Sequence, residues 1–200
     1  MTAAAFLEIV DGRGGHFRLE SGHHSDLWLD LDPLFTEPQR IEPFVSALAD
    51  ALRPHDVSMV CGPLLGGAFL ALLISRGLGA QFCSTERVMP AERDGLYRAR
   101  YRLPSALTHR VRGKRVAMVD DVMSAGSALR GTYAELRNHG AVPVVAGALL
   151  VLGAAGADFF TARGIAVEAV ARDDHDLWLP AECPLCAAGV PLENVGEPSA

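Results

Sequence analysis

Two hundred residues, half of them hydrophobic and 21% charged, with 20 glycines and 12 prolines, fit one domain of ordinary size and exclude a disordered tail, a collagen-like repeat and a coiled coil. A formal net charge of −6 argues against a general nucleic-acid or membrane-surface binder. The charge is uneven: from Glu86 to Arg115 nine basic residues stand against three acids, leaving nine against 21 in the remainder, which suits an anion-binding loop on an acidic body or, more plainly, a solvated loop with helix-face arginines.

In chain order, Phe17 to Leu31 alternates enough to predict a hairpin around Glu20-Ser21-Gly22. Thr36-Glu37-Pro38-Gln39 has the form of a capping box, opening a helix whose stripe is Ile41, Phe44, Val45, Leu48 and Leu52. Residues 1–56 are therefore expected to form an N-terminal cap, or hood. From residue 57 strand and helix alternate: strands at Val57–Cys61, Ala80–Ser84, Arg115–Val119, Val142–Val151 and Ala166–Ala171, with helices over Ala68–Arg76 and around Leu129, Tyr133 and Leu136. Strands this apolar are covered on both faces, so the 57–172 core is predicted to be α/β, an open, mainly parallel twisted sheet with helices on both sides. The tail, 173–200, rich in Pro and Gly, is expected to be an ordered extension without regular structure.

Two uncharged stretches, Val57–Ser75 and Gly140–Ala157, approach membrane-spanning length, but Pro63 with Gly62, Gly66 and Gly67 interrupts the first and Pro143, Gly147, Gly153 and Gly156 the second. Glu8 and Asp11 without a basic start do not read as a secretory signal, and the cytoplasm is the expected compartment. There, Cys61 and Cys83 are most simply buried thiols. Cys183 and Cys186 have the spacing of half a zinc site with His175 upstream, yet the remaining ligands are not evident, and a structural thiol pair is the safer reading. His23 and His24 either touch substrate or simply sit on the hairpin; Trp28 and Trp178 read as packing residues.

The segment with most chemistry is Val119-Asp120-Asp121-Val122-Met123-Ser124-Ala125-Gly126-Ser127-Ala128, an apolar strand entering two acids, a small-residue turn and a helix. At the carboxyl end of a parallel strand the carboxylates would meet a ligand crevice, and the turn would present N–H groups and hydroxyls at a helix N-terminus. Carboxylates accept hydrogen bonds from sugar hydroxyls, and an amide cradle favours phosphate, so one pocket could hold a ribose 5-phosphate by both ends. The plainer alternative is a helix cap or a metal-binding acid pair.

This segment resembles the phosphoribosyl pyrophosphate (PRPP) motif of type I phosphoribosyltransferases. Gly15-His16-Phe17-Arg18-Leu19-Glu20-Ser21-Gly22-His23-His24-Ser25-Asp26 is similar to the N-terminal hairpin of the orotate enzymes, Cys61-Gly62-Pro63-Leu64-Leu65-Gly66-Gly67 to their pyrophosphate loop, and Glu182 to Leu192, with its Cys-Pro-Leu-Cys, to the ending of one bacterial subgroup. The resemblance implies that Asp120 and Asp121 hold the ribose hydroxyls, that Met123, Ser124, Ala125, Gly126 and Ser127 wrap the 5-phosphate, and that Leu64, Leu65, Gly66 and Gly67 offer amides to pyrophosphate. It places Arg87 on pyrophosphate, although a surface arginine at a strand end is its bland reading. Residues 90–103 would be a mobile loop closing over the neighbouring subunit of a homodimer, with Arg93, Arg98, Arg100 and Arg102 neutralising the departing pyrophosphate; Arg98 and Arg100 are the catalytic candidates among them. Mg²⁺ would arrive with PRPP.

The implied activity is transfer of the 5-phosphoribosyl group from PRPP to a base, orotate first. Three departures keep the base open: no lysine stands between Arg87 and Arg112, Val151-Leu152-Gly153-Ala154 replaces a frequent Asp-Arg pair, and Glu20 stands where some members have a lysine. The alternatives are a purine or another base, or a non-catalytic PRPP-binding regulator. Partners would be small molecules, with neither nucleic acid nor membrane.

Overall fold

The computed structural model describes residues 2–88 and 95–195. A short helix α1 (Ala3–Leu7) precedes β1 (Asp11–Arg18) and β2 (His24–Asp30), which pair antiparallel as the predicted hairpin. Its turn closes through Gly22 at φ +83°, a left-handed conformation that suits glycine. Helix α2 (Pro38–Leu52) buries the whole predicted stripe. Its capping box does not form: Pro38 takes the first turn, where its missing N–H costs nothing, and the Thr36 hydroxyl bonds back to the Pro33 carbonyl at 2.7 Å.

The core follows as β3 (Met59–Pro63), α3 (Gly66–Leu78), β4 (Gln81–Val88), β5 (Arg100–Arg102), β6 (Arg115–Met123), α4 (Ser127–Asn138), β7 (Val142–Leu152), α5 (Ala155–Thr161) and β8 (Ala166–Asp173). The sheet order is β5-β4-β3-β6-β7-β8, with every neighbouring pair parallel except β4·β5. Successive strand residues feed two cores, as the pleat demands. Val60, Ala117 and Val119 pack with α2 and α3, whereas Met59, Cys61 and Met118 pack with α4 and α5. Cys61 and Cys83, register partners on β3 and β4, are buried free thiols.

Three elements depart from expectation. Strand β5 lies within the segment expected as a loop, because Ala99, Tyr101 and Leu103 alternate as buried residues against the β4 edge. Helix α5 is too short, at seven residues, for its period to stand out among small residues. The tail is not irregular: it forms α6 (Pro184–Ala187) and β9 (Glu193–Asn194), the latter parallel to β1 in a second sheet, β2-β1-β9. Residues 90–94, including Arg93, lie outside the described residues.

Candidate active site

Strand β6 carries the acid pair within its last turns rather than beyond its end, since Val122 and Met123 still pair with β7. The Asp121 amide donates to Asp120 Oδ1 at 3.1 Å and the Val122 amide to Asp121 Oδ1 at 2.7 Å, so the two carboxylates are fixed against the strand. Burial pushes both carboxyls above the usual carboxylate range; at Asp120 the adjacent Asp121 charge adds to the rise. Two acids held together in this way are poised to accept hydroxyl donors or a cation.

The turn beyond them reaches the N-terminus of α4 through Gly126 at φ +72°. Ser124, Ala125, Gly126, Ser127 and Ala128 line one wall of a pocket of about 300 Å³, with Asp120 at its base. Met123 is the exception in the expected cradle: its side chain is buried in the core, leaving only its backbone to the turn. The opposite wall is the hairpin, through Glu20, Ser21, Ser25 and Trp28, joined by His175 from the tail. Trp28 thus faces the pocket rather than serving the core. His175 is held by Ser25 Oγ at 3.1 Å and Asp26 Oδ1 at 3.0 Å, so it is not a partner of the two tail cysteines.

At the start of α3, the Leu64–Leu65 peptide is cis, and Leu65 is exposed. A methyl on Gly66 would overlap Asp121 Oδ2, and one on Gly67 would stand 2.7 Å from Asp120 Oδ1. Glycine is required there because the helix entry lies directly against the acid pair. The Leu64 amide is already donated to the Thr85 carbonyl at 2.8 Å, which removes it from the amides expected to face pyrophosphate.

Compared with known proteins, the chain is 31% identical over 196 residues to the orotate phosphoribosyltransferase of Thermotoga petrophila, covering 94% of this chain and 96% of that one. It is 32% identical over 181 residues to the orotate phosphoribosyltransferase of Thermus thermophilus, covering 90% and 92%. The chain belongs to the orotate phosphoribosyltransferase family. No family model matches it. Among solved structures, the orotate phosphoribosyltransferase of Aeropyrum pernix superposes with a TM-score of 0.63 at 22% identity, covering 84% of this chain and 92% of that one. The adenine phosphoribosyltransferase of Giardia lamblia complexed with 9-deazaadenine gives 0.65 at 15%, covering 86% and 98%. These two likenesses establish the type I phosphoribosyltransferase fold.

Within this orotate phosphoribosyltransferase family member the arginines do not all gather at the acid pair. Arg87 Nε stands 3.1 Å from Glu20 Oε2, which turns the end of β4 toward the hairpin wall. Arg98 is half-buried beside Tyr97, and neither it nor Arg100 lines the pocket above Asp120. Arg100 and Arg102 border a separate groove along α4 with Arg130 and Asn138, because strand alternation turns Tyr101 inward and its neighbours outward. Arg100 therefore lies outside the lining of this chain's own pocket.

Glu20 is a site residue whose environment the sequence left unread. The Tyr101 hydroxyl donates to both its oxygens, at 3.0 and 3.1 Å, alongside the Arg87 contact. Its place in the hairpin turn was visible, but nothing local announced partners 67 and 81 residues away. Cys183 and Cys186 lie apart from this pocket, against His16 and His24.

Proposed function

We propose that this protein transfers the 5-phosphoribosyl group of PRPP to orotate, releasing pyrophosphate and forming orotidine 5′-monophosphate. The observation that carries this reading is one pocket bounded on one side by Asp120 and the Ser124–Ala128 turn and on the other by the hairpin. A phosphate at the turn would meet the α4 N-terminus, and the ribose hydroxyls would donate to Asp120 and Asp121. The base would then lie toward Trp28 and Ser25, above the anomeric carbon.

The reaction is a displacement at that carbon through an oxocarbenium-like transition state. The protein need supply no nucleophile: it orients the two reactants, excludes water, and leaves positive charge to the pyrophosphate side. The acid pair fits a hard cation as well as a sugar, since the burial that raises both carboxyls, and the Asp121 charge that raises Asp120 further, are relieved by one divalent ion. Asp120 and Asp121 would hold Mg²⁺ arriving with PRPP, and the ion would supply neutralisation of phosphate charge. Arg98 would serve a neighbouring subunit's pocket.

A homodimer is part of this reading. Leu65, Phe69 and Leu72 make an exposed i, i+4, i+7 stripe from the pyrophosphate loop along α3, next to the acid pair, where a second copy would cover it. Among the described residues no helix is long and apolar enough to cross a membrane, and four free thiols suit a reducing cytoplasm.

Glu20 favours a second reading of the base. A carboxylate in the pocket wall suits a heterocycle offering N–H donors and opposes one bearing its own carboxylate. Pyrophosphate release from PRPP, measured with orotate, uracil, hypoxanthine and guanine, separates the two. Turnover with orotate alone is expected. Turnover with a purine alone would replace orotate by that base, and tight PRPP binding without turnover would make the chain a regulator.

A further inference from the structure

We propose that His16, His24, Cys183 and Cys186 bind one zinc ion, in a closed structural site that fastens the C-terminal tail to the N-terminal hairpin. The four ligand atoms lie within 4.8 Å of one another. His16 Nε2 is 3.1 Å from His24 Nδ1, 3.4 Å from Cys183 Sγ and 3.7 Å from Cys186 Sγ, and Cys186 Sγ is 3.3 Å from His24 Nδ1. A tetrahedral zinc ion with bonds of about 2.0–2.1 Å to nitrogen and about 2.3 Å to sulfur separates its ligand atoms by roughly 3.3–3.8 Å. Three of these four edges fall in that range, and the His16–His24 edge is about 0.2 Å shorter.

Protonation distinguishes a ligand cage from a hydrogen-bond cluster. His16 Nδ1 lies 2.8 Å from the Val190 carbonyl, which only accepts, so Nδ1 carries the proton and Nε2 presents a lone pair. Three groups, His24 Nδ1, Cys183 Sγ and Cys186 Sγ, converge on that single lone pair, although one lone pair satisfies one donor. A cation at the centre satisfies all four groups together. The Val190 contact is then the outer hydrogen bond that sets a zinc-bound imidazole's tautomer and direction.

The fold brings each ligand there for a local reason. A bulge between Gly14 and Phe17 holds His16, and a methyl on Gly15 would collide with the Phe17 ring, so only glycine lets the strand bend. His24 is fixed by two backbone hydrogen bonds with Trp178, its amide donating at 2.9 Å and its carbonyl accepting at 3.0 Å. Cys183 caps α6 and Pro184 opens it, which sets Cys183 and Cys186 three residues apart on one side of a helical turn. The parallel pairing of β9 with β1 and the Arg13–Glu193 ion pair at 2.9 Å continue the same attachment.

Two histidines and two thiolates in a tetrahedron suit zinc, and four protein ligands leave no open position, so the site is structural. Binding deprotonates both thiols and releases two protons to solvent. His24 directly precedes Ser25, a pocket residue, and the hairpin turn carries Glu20 and Ser21. The ion would thus hold the pocket wall from behind without touching substrate.

The test is metal content. The full chain, purified under reducing conditions after growth with zinc, should contain about one zinc per chain by mass spectrometry of the metal. Cobalt(II) replacing it should give tetrahedral d–d bands and thiolate-to-cobalt charge transfer. Cys186→Ser changes the ligand at the exposed rim and is expected to lower zinc affinity at least about tenfold, with loss of the charge-transfer intensity of one thiolate. His109→Ala, an exposed histidine elsewhere, should keep full occupancy. A chain that takes up no zinc and gives no tetrahedral cobalt spectrum would overturn the proposal, as would iron in place of zinc, a Cys183–Cys186 disulfide in the purified protein, or unchanged zinc affinity in Cys186→Ser. Because the readout is the metal itself, none of these outcomes depends on which base is accepted.

Discussion

The amide of Gly156, in the first turn of α5, donates to the carbonyl of Ser124 at 2.9 Å, tying the expected phosphate turn to a helix that the sequence had not announced. The approach is so close that a methyl on Gly156 would stand 2.7 Å from Met123 Cγ and 2.5 Å from the Ser124 carbonyl. Gly156→Ala must therefore displace the Met123–Ser124 backbone. The expected cost is about 1–3 kcal/mol of stability, together with a rise in the KM for PRPP larger than that for the base. Thermal unfolding and initial rates with each substrate varied would check it; a normal KM for PRPP would show that the turn does not hold the phosphate.

The acid pair makes a stability prediction of opposite sign. Both carboxyls have folded-state pKa values above the unfolded value of 3.8, so the folded ligand-free protein binds more protons than the unfolded chain across that interval. Stability contributed by these groups is then greatest in acid and declines as pH rises through their folded pKa values. Asp120→Asn removes one buried charge and its repulsion with Asp121. At neutral pH the ligand-free variant should be more stable by about 1–2 kcal/mol while binding PRPP more weakly, and its stability advantage should vanish as pH falls below the ordinary carboxylate range. Denaturant titrations at several pH values read the first effect and calorimetry with PRPP the second. A variant less stable than the parent at neutral pH would contradict the electrostatic account.

Tyr101 links the edge strand to the pocket. Burial, then the negative charges of Glu20 and Asp120, push its hydroxyl far above the normal tyrosine range, so it remains a donor at any working pH. Tyr101→Phe takes that donor from Glu20 and leaves Arg87 as the charged partner, which should cost about 1–2 kcal/mol. Glu20 lines the pocket, so the KM for the base should change more than that for PRPP. Equal shifts in the two constants would place Glu20 outside base recognition. Gly131 on α4 is glycine for the same contact: a methyl there would lie 2.5 Å from Tyr101 Cδ2.

What was legible in the sequence was whatever one element states by itself. The α2 stripe from Ile41 to Leu52, the apolar strands and the Asp120–Ser127 run each carry their own period or chemistry within about 15 residues. What was illegible depended on distant partners. The clustering of Cys183 and Cys186 with His16 and His24 was hidden because the histidines are more than 150 residues upstream, at no spacing that marks a ligand. The resemblance placed Arg100 in a loop over a neighbouring subunit, but a three-residue strand has too little alternation to reveal beforehand that Tyr101 points inward and Arg100 outward. Thr36 and Gln39 matched a capping box in type, yet Pro38 shifts the helix start by one position.

The exposed stripe on α3 yields the last prediction. Leu72 is 52% exposed and Leu65 63%, while Phe69 stacks edge-on with Phe35 of its own chain at 5.4 Å, so Leu72 can be changed with least effect on the fold. In a homodimer sealed over this stripe, Leu72→Glu buries a carboxylate without a partner and should weaken association about tenfold or more. Sedimentation velocity at micromolar concentration should give a dimer for the parent and a shift toward monomer for the variant, with unchanged unfolding of the monomer. If Arg98 serves the neighbouring pocket, the same variant should lose turnover in step with dissociation and recover it at high protein concentration. A parent that sediments as a monomer with full activity, or a Leu72→Glu variant that stays dimeric, would mean that the stripe is not the seat of a second copy.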